Sequence, residues 1–150
     1  MVAQELREFY ARQGFCLIPL VGGTKRPAAK WRQHLEGSGE KFDPLAMKDG
    51  VNYAVLCGAP SNNLVILDFE RKQDGEAFLS GFRTDLRKLT FVAETPHGGL
   101  HVYLRSAKAG GRRIRIFGDE HPVAYLADGG YALVPPSTID HSKCEPSKTG

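Results

Sequence analysis

The sequence predicts an α+β fold, an antiparallel-rich sheet with flanking helices packed on one face. Three observations predict it. Short apolar runs of strand length recur along the chain, bounded by Gly, Pro, Asn and Asp. Glycine-containing turns of hairpin length separate several of these runs, as at Pro96-His97-Gly98-Gly99 and Asp128-Gly129-Gly130. Two other segments carry apolar residues at helical spacing. At 150 residues, 41% hydrophobic and 25% charged, one domain (1–150) with a real core is the default.

Taken in order, residues 2–13 set Leu6, Phe9 and Tyr10 on one helical stripe, and Gly14 is a natural stop. Phe15 to Leu20 follows as a strand, with Pro19 placing it at an edge or a strand end. Residues 22–32 then gather Lys25, Arg26, Lys30 and Arg32 around Trp31, behind Gly22-Gly23. Flexible backbone, cations and an aromatic suit phosphates and stacked bases, and a solvated loop anchored by Trp31 accounts for the same residues. Residues 36–50 read as loop. Asn52 to Gly58 is a strand whose short turn into the next run suggests an antiparallel pair.

That next run, Leu64-Val65-Ile66-Leu67-Asp68-Phe69-Glu70, is the one around which the rest is arranged. Alternation along a strand puts Asp68 and Glu70 on one face and Phe69 on the other. Their Cα atoms are then roughly 6.5–7 Å apart. Carboxylates so placed reach a shared metal pair, whose ions sit about 3.5–4 Å apart in two-metal phosphoryl chemistry. A strand end running out into water, with both acids hydrated, is the competing reading.

Beyond Glu70, Asp74-Gly75-Glu76 opens a second helix, with Phe78, Leu79, Phe82, Leu86 and Leu89 on one face. Thr90 to Thr95 and Leu100 to Arg105 are strands about the Pro96 to Gly99 turn. On the second of these, Leu100, Val102 and Leu104 face the core; His101, Tyr103 and Arg105 share the other face, where all three reach an anionic ligand. Lys108, Arg112, Arg113 and Arg115 form a basic segment, a nucleic-acid contact or a solvated hairpin loop. Val123 to Leu126 and Tyr131 to Val134 are strands, joined by Asp128-Gly129-Gly130 as a hairpin.

Composition narrows the class. Net charge is +3, which permits an anionic partner without requiring one. Cys16, Cys57 and Cys144 are odd in number, far apart and without zinc spacing. With two of them in apolar strands, a reduced, cytoplasmic protein is expected over a disulfide scaffold. No run is apolar enough to span a bilayer, and the first residues lack the apolar stretch of a signal peptide, so neither a span nor a secretory signal is expected.

The order of features is distinctive: Lys25-Arg26-Pro27 with Trp31 nearby, Asn52 six residues before Gly58, a hydrophobic strand into Asp68-Phe69-Glu70, then Thr95-Pro96-His97-Gly98-Gly99-Leu100-His101, then Gly129-Gly130-Tyr131 and Pro135-Pro136-Ser137. From about Gly14 to Ser137 the chain resembles the primase-polymerase (prim-pol) domain of the archaeo-eukaryotic primase superfamily, as in replication proteins of archaeal plasmids and phages. The resemblance implies an RRM-like catalytic core and DNA-templated nucleotidyl transfer. It implies two divalent cations, Mg or Mn, with nucleoside triphosphates, a primer and single-stranded DNA as template. It also implies a longer replication protein with a helicase module, of which this chain is a fragment.

By motif, Asp68 and Glu70 would hold the cations, and His101 would contact the phosphates of the incoming nucleotide. His97 would touch phosphate or fill its turn. Lys25, Tyr103 and Arg105 join the nucleotide side; Arg26, Lys30, Trp31, Arg112, Arg113 and Arg115 join the nucleic-acid side. The family's third motif places an acid on the strand before Gly129-Gly130-Tyr131, and there this chain has Ala124. Three explanations follow: an inactivating substitution at Ala124, a carboxylate supplied instead by Asp128 or Asp119, or a fold that binds nucleotide or nucleic acid without catalysis. A metal-dependent nuclease is the rival use of the same acids and histidine.

Overall fold

A computed structural model describes residues 3–37, 40–106, 113–116 and 120–139, with side chains apart from those of 35, 36 and 113–116. It is α+β, with every strand pair antiparallel. The described elements are α1 (Gln4–Gln13), β1 (Cys16–Pro19), β2 (Tyr53–Leu56), β3 (Leu64–Phe69), α2 (Lys72–Ser80), β4 (Val92–Glu94), β5 (Leu100–Arg105), β6 (Arg113–Ile116), β7 (Val123–Leu126) and β8 (Tyr131–Leu133). Two sheets form, a three-stranded one in the order β1-β2-β8 and a five-stranded one in the order β4-β5-β3-β7-β6.

Strand β3 lies at the centre of the larger sheet because both its faces are buried. Leu64, Ile66 and Asp68 look one way; Val65, Leu67 and Phe69 look the other. The second face packs on α2, where Leu67, Phe69, Leu100, Val102 and Val123 meet Phe78 and Leu79. The first packs on α1 and the small sheet, where Ile66, Tyr103, Ala124 and Leu126 meet Tyr10, Phe15, Val55 and Val134. The helices therefore lie on opposite faces, not on one as expected. The sheet has two apolar faces, and each requires its own cover.

Three local expectations also fail. β2 does not pair with β3: it runs between β1 and β8, and only the Gly58–Leu64 bridge links the two runs. β7 and β8 do not form a hairpin; the Asp128-Gly129 turn carries the chain from the large sheet to the small one. Both turns change sheets, which alternation within a strand does not encode. The second helix starts at Lys72 and stops at Ser80, and 86–88 is a separate 3-10 turn capped by the Asp85 carboxylate. Phe82 and Leu89 are consequently exposed, at 51% and 72%. Gly81 ends the first stretch, and the Asp85 cap competes with helix continuation.

Arg105 is a fastener of this architecture. Its Nη1 donates to the carbonyls of Ser61 and Asn62 at 3.1 and 2.7 Å, and its Nη2 to Gln13 O and Oε1 at 3.1 and 2.7 Å. The guanidinium thus ties the end of α1 to the turn before β3. Arg105→Ala should cost about 1–3 kcal/mol, since it removes the hydrogen bonds from a charged group that tie these two segments together. A thermal melt should fall by several degrees, about 2–4 °C per kcal/mol for a chain of this size. An unchanged melt would remove Arg105 from this role.

Candidate active site

One rung of the large sheet builds the site. Across neighbouring strands the register aligns Ala93, His101, Asp68, Ala124 and Arg115. His101 Nε2 lies 3.3 Å from Asp68 Oδ1, with both side chains largely buried. Paired residues in adjacent antiparallel strands point to the same face, so the imidazole and the carboxylate meet by register alone. Glu70 stands two residues beyond Asp68, just past the end of β3, where its backbone N–H donates to Pro122 O at 3.2 Å. Asp68, Glu70, His97 and His101 line one cavity of about 680 Å³, lying between the two sheets.

The β4–β5 turn brings His97 and His101 to that cavity. Thr95 organises it: its N–H donates to Gly99 O at 3.0 Å, and its Oγ1 accepts from Gly99 N at 2.9 Å. Gly98 sits at φ 83, a left-handed conformation that disfavours side chains. Gly99 is required for another reason: a Cβ there would fall inside 3.0 Å of the Phe69 carbonyl oxygen, closer than real Cβ atoms come. The turn therefore rests directly on the strand end that carries the two acids.

The opposite wall belongs to the small sheet and the loop after β1. Lys25, Trp31 and Tyr131 line it, together with Gly129 and Gly130. The loop is built, not slack. Val21 N donates to Arg26 O at 2.8 Å, and Thr24 Oγ1 accepts from Arg26 N at 3.1 Å. Asn52, buried, donates Nδ2 to Thr24 O at 3.3 Å and to Thr138 O at 2.5 Å. Tyr131 OH donates to Lys25 O at 3.3 Å, and the Trp31 and Tyr131 rings meet edge to face at 5.5 Å. Arg32 rests over Trp31 at 5.8 Å, near the limit of a cation–π contact and worth about 0.5–1 kcal/mol at an exposed site.

Several expected residues lie elsewhere. Tyr103 shares the face of His101 but is buried in the aromatic cluster of Phe15, Phe91 and Tyr10. Burial pushes its hydroxyl pKa well up, and the group takes no part in the cavity. Arg105 is at the far end of the same strand, committed to Gln13, Ser61 and Asn62. Neither is among the residues that line the cavity of Asp68, Glu70 and His101. Parity along β5 is as expected, but α1 covers that face beyond His101. Trp31, expected on the nucleic-acid side, lines the same cavity as the acids; Arg26 and Lys30 are exposed outside it. Arg112 falls outside the described residues, and Arg113 and Arg115 are placed only as backbone positions of β6.

Ala124 is the direct cross-strand partner of Asp68, 5% exposed, on the side opposite His101. Asp128 does not substitute for a carboxylate there: its Oδ1 accepts from Ala59 N at 3.3 Å and packs against Gly58. Asp119 lies outside the described residues. Sequence reasoning missed Tyr131 and Asn52 as site residues. Tyr131 read as an ordinary strand residue and Asn52 as a strand start, although both stood within the quoted motifs.

The donor set fits one cation better than two. Asp68 and Glu70 put two carboxylates on the cavity lining, and Mg²⁺ is commonly held by one or two carboxylates plus substrate phosphates and water. Among the described residues no cluster of three or more His, Cys, Asp or Glu could hold a metal on its own, and Ala124 contributes no donor. Also among the described residues, no helix is long and apolar enough to cross a membrane.

Comparison with known families gives one result. A family model described as "Bifunctional DNA primase/polymerase, N-terminal" matches residues 7–149. The search of curated proteins found no match.

Proposed function

The chain belongs to the bifunctional DNA primase/polymerase N-terminal family, and from that premise we propose that its cavity binds a nucleoside triphosphate and a divalent cation, Mg or Mn, for primer synthesis or extension on single-stranded DNA. The observation that carries this reading is the rung itself: His101 and Asp68 in register, with Glu70 and Lys25 on the walls of one cavity. Acids without a cation there would repel an incoming triphosphate, whereas acids with one would attract it.

The chemistry joins a 3′ hydroxyl to the α-phosphate and releases pyrophosphate. A bound cation would neutralise phosphate charge and lower the pKa of the attacking hydroxyl. Asp68 and Glu70 would hold that cation. His101, its ring oriented by Asp68, would donate a hydrogen bond to a phosphate oxygen, and Lys25 would add positive charge from the opposite wall. Exposed Arg26 and Lys30 would grip template phosphates without reading sequence. A second cation would need a donor at Ala124, so nucleotide binding should outlast efficient catalysis in this chain. That same observation favours a second reading, a domain that binds nucleotide and DNA with little turnover.

The test is a labelled primer on single-stranded DNA with Mn²⁺. Without nucleotides, the primer should keep its length. With nucleotides, the native chain should extend it slowly and Ala124→Asp faster. Shortening without nucleotides would favour the nuclease instead. Absence of extension by both chains would leave the binding reading.

A further inference from the structure

We propose that Trp31 and Tyr131 form the subsite for the nucleobase of the incoming nucleotide. The inference rests on the preceding reading and assigns the half of the cavity that phosphate and metal leave unaccounted for.

The cavity is lined by two chemically different sets of residues, one from each sheet. Asp68, Glu70 and His101 come from the large sheet and its strand end, and suit a cation and phosphate. Trp31, Tyr131 and the apolar Leu133 belong with the small sheet. A triphosphate with its cation needs charge and hydrogen bonds, and among the described lining residues this aromatic set comes with one cation, Lys25. A base needs a flat apolar surface. The volume, about 680 Å³, lies within the roughly 300–1,000 Å³ of sites that enclose a whole small ligand. It accommodates more than a triphosphate alone.

The two rings are also preset. Trp31 packs against the core of the small sheet, with Ile18, Leu20 and Leu56. Tyr131 is fixed at its backbone by pairing with Leu56 and at its hydroxyl by Lys25 O. Their edge-to-face contact lets a base laid on one ring meet the edge of the other. Fixed rings lose little freedom on binding, which is what makes them effective as a stacking surface. Arg32 over Trp31 is exposed, and a stacked base replaces its weak contact with a larger one. Stacking reads no base edge, so the subsite takes any of the four bases, with purines favoured by area.

Trp31 is the sole tryptophan, so its fluorescence reports on this wall directly. The probes are Mg-ATP, Mg-tripolyphosphate and adenosine, titrated into the native chain, Trp31→Leu, Trp31→Phe and Tyr131→Leu. Calorimetry measures affinity where the tryptophan is gone. Mg-ATP should change the emission of the native chain, and Mg-tripolyphosphate should bind without doing so. Trp31→Leu and Tyr131→Leu should weaken Mg-ATP by about 5- to 100-fold, as expected for loss of one stacking surface, and leave Mg-tripolyphosphate within about twofold. Trp31→Phe, which keeps a ring, should recover most of the loss. Equal weakening of both ligands by the leucine variants, or no weakening of Mg-ATP, would overturn the base subsite while leaving triphosphate binding in place. Failure of the folded native chain to bind either ligand would overturn the functional reading itself. Circular dichroism confirms that each variant is folded.

Discussion

Ala124→Asp is expected to raise Mn²⁺-dependent primer extension by about 10²–10³-fold, the scale of adding one group that stabilises charge in a transition state. The position is fixed by register, since Ala124 is the residue paired with Asp68 across β3 and β7. A carboxylate there would add a donor beside Asp68, on the side away from His101. The same substitution buries a second anion where the alanine is 5% exposed. Without metal, it should destabilise the fold through like-charge repulsion and desolvation; with Mn²⁺, most of that loss should return. The variant should therefore gain more thermal stability from Mn²⁺ than the native chain does. In the Ala124→Asp background, Asp68→Ala should abolish extension. Extension that survives Asp68→Ala would remove that carboxylate from the chemistry.

Gly99→Ala is expected to cost about 1–3 kcal/mol of stability and about 10²-fold in activity in the same background. The added methyl meets the backbone carbonyls of Phe69 and Glu70, which cannot swing aside as a long side chain would. Relief requires the turn to move away from β3, which pulls on the first β3–β5 pair, Phe69 with Leu100, next to the Asp68–His101 pair. An error of about 1 Å in a reacting group is enough for a loss of this size. Gly98→Ala strains a backbone at φ 83 but meets nothing within 4 Å, so it should reduce stability with less effect on turnover. Chemical denaturation and single-turnover extension separate the two contributions. Equal activities for the two variants would contradict the claim that contact with the strand end matters.

The central strand and the acids that end it were legible because they are local. Four apolar residues running into Asp68-Phe69-Glu70 determine a buried strand with acids at its end, and Gly98-Gly99 before His101 determines a turn that delivers the imidazole. Lys25 and Trp31 were legible as parts of a basic, aromatic loop, but the cavity wall they occupy depends on Asn52 and Tyr131, residues distant in sequence. Tyr103 shows the limit most clearly. Its parity along β5 matches that of His101, yet two residues along the strand places it under Phe9, Tyr10 and Phe15 of the N-terminal segment. Alternation assigns a face, whereas depth along that face is set by what covers it. The β2–β3 and β7–β8 pairings failed for a related reason: a short turn joins neighbouring runs whether or not they enter the same sheet.

The central claim, that both acids and the nucleotide share one cation, is tested most directly by counting Mn²⁺ bound in the presence of a non-hydrolysable nucleoside triphosphate by electron paramagnetic resonance. The account predicts one nucleotide-dependent ion in the native chain, its loss in Asp68→Ala and Glu70→Ala, and a second ion in Ala124→Asp. Mn²⁺ binding that is the same in the native chain and in Asp68→Ala would contradict it.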